Sequence, residues 1–185
     1  SNSSGSGSSG SGSTGATGAV PDDAVRLSSG NWAHGAAFVD TRQILISHDS
    51  QRRLFEAHGS VRLDDERRLV EFGLCPELLC IRRGTTRLVE AGSDPYVSWG
   101  RWTDGKLHAI GWGTLFPIPY SANQGMHYVI GAPASALPTA GAFRYELLGA
   151  TRPTLASGAQ APGNFAASVG VAFSPGVARV GIDAS

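Results

Sequence analysis

Toward its C-terminal end the chain alternates apolar and polar residues, and a repeat of two is the repeat of a β-strand. In AFRYELLG at 142–149, Phe143, Tyr145 and Leu147 alternate with Arg144 and Glu146. Val169, Val171 and Phe173 repeat the pattern, Ser174-Pro175-Gly176 turns the chain, and Val180 and Ile182 then alternate with Arg179, Gly181 and Asp183. A helix turns every 3.6 residues and would scatter these side chains around its axis, whereas a strand gives them one dry and one wet face.

The rest of the chain reads in the same way. The runs AAFVD (36–40), ILIS (44–47), SVRL (60–63), RRLVEFGL (67–74), TTRLVEA (85–91), YVSWGRW (96–102), KLHAIGW (106–112) and MHYVIG (126–131) are short and separated by turn residues. Asp64-Asp65-Glu66 is a charged turn, and Thr103-Asp104-Gly105 reads as a hairpin turn in which Asp-Gly supplies positive φ. With about nine or ten such strands and no long helix, the expected fold is all-β, an antiparallel meander closing as a barrel-like or sandwich domain. Its C-terminal end reads as incomplete. The strand holding Ile182 needs a neighbour, so either an earlier strand closes the sheet or the domain continues beyond Ser185. An edge left open invites pairing with another copy.

Residues 1–19, SNSSGSGSSGSGSTGATGA, lack the apolar side chains that could offset the ordering cost of folding, and read as a flexible Gly/Ser linker. Residues 20–34 are an irregular lead-in, and the β-rich domain runs over 35–185. The chain opens on Ser1 without a Met or a signal peptide, which suggests a piece of a longer precursor. Lys and Arg number 15 and Asp and Glu 15, giving zero net charge, so the cationic excess of a nucleic-acid binder is missing. The longest apolar runs are too short for a transmembrane helix. Fourteen of the 15 basic residues are Arg, a bias expected of a GC-rich bacterial coding sequence.

Four stretches together carry a family likeness: WGRW at 99–102, HYVIGAPASALPTAGAFRY at 127–145, GATRPTLASGAQAPGNF at 149–165 and VGVAFSPGVARVGI at 169–182. They resemble a β-rich envelope domain associated with FecR-domain-containing proteobacterial proteins. They are also similar in style to the lipocalin-like barrel of transferrin-binding protein B. The resemblance covers about Tyr96 to Ile182 and rests on packing and turn motifs, so it implies a fold and an envelope setting, periplasmic or at the outer-membrane surface. It carries no catalytic set. Barrels of this kind usually continue with further Gly/Phe-rich strands, which again implies an open end after Ile182.

Candidate chemistry is sparse. Trp99 and Trp102, three residues apart in one strand, point to opposite faces unless a bulge at Gly100 re-aims one of them. That favours one packed and one partly exposed ring over a flat stacking platform. Cys75 and Cys80 enclose PELL; in a helix they would stand roughly 7.5 Å apart along the axis, beyond a bridge, but in a loop a disulfide suited to an oxidising compartment is expected. His34, His48, His58, His108 and His127 form no HxH or HExxH spacing, so a metal site would need His48 to meet His58, or His108 to face His127, across a hairpin. There is no GxSxG elbow, no P-loop and no paired carboxylate set.

The Pro/Gly segments at 117–128 and 131–141 read as rim loops. Tyr120, Asn123, Gln124 and His127, with Trp99 and Trp102, are therefore the candidate ligand or partner contacts. No metal and no cofactor is expected. The leading functional expectation is a non-enzymatic cell-envelope binding module, tethered by its linker, that contacts a protein partner or a small ligand. The alternatives are a structural unit that self-associates by strand addition and, ranked last, a metal-dependent hydrolase built on His108 and His127.

Overall fold

A computed structural model of the chain describes residues 26–30, 35–40, 54–73, 79–111, 113–131 and 137–185. Among them it is all-β: thirteen strands in three antiparallel sheets, none of which closes into a barrel. The front sheet holds β1 (Gly35–Asp40), β2 (Leu54–His58), β6 (Arg87–Ser93), β7 (Val97–Thr103) and β10 (Met126–Gly131) in the order β2-β1-β10-β7-β6. The back sheet holds β3 (Ser60–Leu63), β4 (Leu69–Gly73), β5 (Leu79–Arg82), β8 (Gly105–Gly111) and β9 (Thr114–Tyr120) in the order β3-β4-β5-β8-β9. The outboard sheet, β11 (Gly141–Glu146), β12 (Ala167–Ser174) and β13 (Val177–Ala184), is a separate meander.

Front and back sheets face each other across one core, as in a β-sandwich. Alternation selects its members: Trp102, Met126, Tyr128 and Ile130 point inward from the front sheet, and Val61, Leu69, Phe72, Ile81, Leu107 and Ile118 from the back. Phe38 of β1 meets Phe72 of β4 with ring centres 5.1 Å apart, and the Tyr128 hydroxyl accepts from the Leu69 N–H at 3.2 Å. Trp102 is completely buried, tilted against Tyr128 at 5.4 Å, while Trp99 takes the outer face of the same strand. The two tryptophans do point in opposite directions. The bulge lies on the neighbouring strand: Glu90 and Ala91 of β6 together oppose Gly100, and β7 itself stays regular.

Two expectations need correction. Asp104 does turn the chain with φ of 47°, but β7 and β8 do not pair with each other. Their turn is a corner that carries the chain from the front layer to the back. Residues 117–120 belong to β9 and not to a loop. β9 is the edge of the back sheet, and Pro117 and Pro119, two residues apart, can both set their missing N–H on its free side. β2 and β5 are further strands, which the runs read from the sequence do not include. The strand expected at 44–47 lies outside the described residues.

Because Trp102 fills the centre of the core, Trp102→Ala should lower the unfolding free energy by about 3–5 kcal/mol. Trp99→Ala, on the outer face, should cost clearly less. Urea denaturation followed by circular dichroism measures both, and equal losses would contradict this placement of the rings.

Candidate functional site

A cluster of polar groups lies on the outer face of the front sheet, under the connection from β11 to β12. Residues 149–163 cross that face as a strap. Glu90 occupies the β6 bulge with φ of 53°, a left-handed conformation that a side-chain-bearing residue adopts only when its surroundings hold it there. Its carboxylate receives Arg101 in a two-point grip, Nη2 to Oε1 at 2.6 Å and Nε to Oε2 at 3.1 Å. It also accepts the backbone N–H of Arg152 in the strap at 2.7 Å. Burial pushes the Glu90 carboxyl up, but hydrogen bonds from Arg101 and Arg152 outweigh it and leave it below the usual range. Arg101 Nη1 donates to the carbonyls of Ala122 and Gln124, so this nearly buried guanidinium also holds the turn before β10.

His127 lies beside this pair on β10, opposite Arg101. Its Nδ1 is 2.8 Å from the Thr151 hydroxyl and its Nε2 2.8 Å from the Thr154 hydroxyl, so the strap caps both ring nitrogens. Burial, reinforced by the positive charge of Arg101 and partly opposed by Glu90, pushes its pKa down to about 4. The imidazole is therefore neutral at physiological pH. One ring nitrogen donates and the other accepts, and a threonine hydroxyl serves either role.

The other candidate contacts divide into two sets. Asn123 Nδ2 donates to the Gly158 carbonyl at 3.1 Å and Gln124 Nε2 to the Ala156 carbonyl at 2.7 Å. Trp99 is wedged between Gly92 and Gly149, where a Cβ on either glycine would overlap the ring. Trp99, Asn123, Gln124 and His127 thus share one place, and each contacts the chain's own strap. Trp102 and Tyr120 point into the core, so the expectation that they offer surface to a ligand is corrected by the parity of β7 and by the inclusion of residues 117–120 in β9.

The facing of His108 and His127 that a metal site would need does not occur. His108 is on β8 in the back sheet and His127 on β10 in the front, each on the outer face of its own layer. No group of three His, Cys, Asp or Glu suited to a metal occurs among the described residues. His34 and His48 lie outside them, and His58 stands opposite Gly35 in the β1–β2 register. Cys80 is fully buried and no cysteine among the described residues is free, while Cys75 lies outside them. Among the described residues no helix is long and apolar enough to cross a membrane.

Sequence reasoning missed Glu90, Arg101 and Arg152, which are ordinary charged residues until the bulge and the strap bring them together. The available signal was Gly92 and Gly149, small residues placed where a large ring needed room. Compared with known proteins, the chain matches no family model, no curated protein and no solved structure.

The His127 environment sets a pH dependence. The folded pKa, about 4, lies below the ordinary 6.5, so the folded chain binds fewer protons than the unfolded chain between those values. The stabilisation is complete above pH 6.5 and is lost as pH falls toward 4. The His127 Cε1 proton should titrate near pH 4 by NMR, and the urea midpoint should fall across the same window. Titration near 6.5 would show that the strap does not enclose the ring.

Proposed function

We propose that this chain is a non-enzymatic interaction module of the cell envelope, held by the Gly/Ser segment 1–19 and acting through its outboard sheet. The supporting observation is an uncovered apolar sheet face. In the β11–β12–β13 register, Phe143, Val171 and Val180 form one row, Tyr145, Val169 and Ile182 the next, and Phe173 and Ala178 a third, all on the same side. Ala142, Arg144, Glu146, Ser168, Arg179 and Asp183 take the other side. No residue of the three strands is buried, and Val180 and Ile182 are 60% and 69% exposed. Contiguous apolar surface of this kind marks a contact surface more often than a finished exterior.

The strap supports the same reading from the other side. A ligand at Trp99, Asn123, Gln124 and His127 would have to displace residues 149–163, so the exposed sheet is the more accessible contact. The envelope setting rests on the linker, the cysteine pair and the likeness of residues 96–182 to the FecR-associated domain. Cys75 and Cys80 belong to this reading as a disulfide, which closes only a small loop and contributes about 2 kcal/mol. Neither thiol should react with iodoacetamide under denaturing conditions until the protein is reduced; labelling before reduction would remove the bridge.

The 185-residue chain immobilised against an envelope extract from the encoding organism should retain a protein that the Tyr145→Lys/Val171→Lys double variant does not. No retained protein, or equal retention by both, would overturn this reading.

A further inference from the structure

The sandwich edges β9 and β6 are blunted against strand addition, and one outboard edge is not. β9 carries Pro117 and Pro119, and β6 is interrupted by its bulge at Glu90 and Ala91. These are devices by which sheets avoid pairing with a stranger. β13 has neither. It runs from Val177 to Ala184 in unbroken register with β12, without proline or bulge, and among the described residues no strand lies on its outer side.

The hydrogen-bond phase of that edge follows from its inner side. Ala166 and Ser185 exchange both backbone bonds, each at 2.9 Å, so Asp183, Gly181 and Arg179 also direct their backbone groups toward β12. Ala178, Val180, Ile182 and Ala184 direct theirs outward. An antiparallel strand added to this edge must set its own outward residues opposite these. For a second β13 this leaves three centred registers: Val180 opposite Val180, Val180 opposite Ile182, or Ile182 opposite Ile182. The first and third place each charged side chain opposite Gly181 or a strand end. The second alone places Arg179 of each copy opposite Asp183 of the other, twice, in the non-hydrogen-bonded positions where side chains stand closest.

We propose that β13 docks a second copy of this chain, antiparallel about a two-fold axis at Gly181, with Arg179 of each copy paired to Asp183 of the other. The proposal rests on the reading of the outboard sheet as an interaction surface and names its partner. Neither Arg179 nor Asp183 has an ion-pair partner among the described residues, while the neighbouring Arg144 and Glu146 already pair with each other at 3.1 Å. The axis stands perpendicular to the sheet, so both apolar faces fall on the same side. Val180 of one copy then lies beside Ile182 of the other, and two three-stranded sheets become one sheet of six. A Cβ at Gly181 would meet nothing within 4 Å in its own copy, so the axis position is sterically open.

Sedimentation velocity of the 185-residue chain across a wide concentration range should show a monomer–dimer equilibrium. Arg179→Asp and Asp183→Arg each place like charges opposite one another at both ends of the contact, and each should weaken the dimer at least tenfold; the double swap should restore it. Gly181→Cys reads the register directly, because non-hydrogen-bonded partners stand within disulfide reach. It should form a covalent dimer under mild oxidation, whereas Gly170→Cys on the central strand and the wild type should not. A wild-type chain that stays monomeric, single variants that dimerise normally, or Gly181→Cys that fails to cross-link would overturn the proposal. A monomer that still retains an envelope partner through Tyr145 and Val171 removes the dimer and leaves the interaction module standing. A dimer that retains no other protein does the reverse.

Discussion

The pairing of Arg101 with Glu90 organises the front of this molecule. A guanidinium taken almost wholly out of water needs its donors satisfied and its charge matched, and β6 supplies the match only by bulging at Glu90. The left-handed backbone of Glu90 is the conformational cost of aiming its carboxylate at Arg101. In return, one arginine ties β7 to β6 and to the turn at 122–124, while the same carboxylate fixes the strap through the Arg152 N–H. The strap in turn closes on itself, Arg152 donating to the carbonyls of Pro162 and Gly163. It also supplies the walls around Trp99 and His127. The neutral state of the imidazole, the wedging of the indole and the route from β11 to β12 are thus parts of one arrangement.

Legibility of the fold followed the range of the forces involved. Alternation is local, and the strands it marks most clearly, β11 to β13, formed with opposite faces as the pattern requires. Parity alone separated Trp99 from Trp102. What could not be read was set by partners far away in the chain. A proline pair in PIPY reads as a loop unless it is known that this strand lies at an edge and needs no N–H on that side. The turn at Asp104 has the chemistry of a hairpin, yet chemistry fixes its bend and not whether the two arms join one sheet. Here the arms face each other across a core, because Trp102 and Leu107 must both be buried.

The candidate site shows the same division. Asn123, Gln124 and His127 were recognisable as polar groups in a loop-rich region, and they do converge. Their partners are Ala156, Gly158, Thr151 and Thr154, about two dozen or more residues further along. Nothing in the local pattern distinguishes a side chain waiting for a ligand from one that holds a distant stretch of its own chain.

Period-two alternation also says less about burial than is usually assumed. In β7 and β10 the apolar face is dry because the back sheet covers it; in β11 to β13 an equally regular pattern leaves Val180 and Ile182 in water. Apolar area lowers the free energy only when something is brought against it. A three-stranded sheet with one bare apolar face therefore gains stability from any layer or strand that joins it. The unprotected backbone of β13 and the opposed charges of Arg179 and Asp183 lie along the edge of that same sheet. Added backbone bonds, matched charge and extension of the apolar face would then come from a single event, in one register, and the same geometry offers them nowhere else along β13.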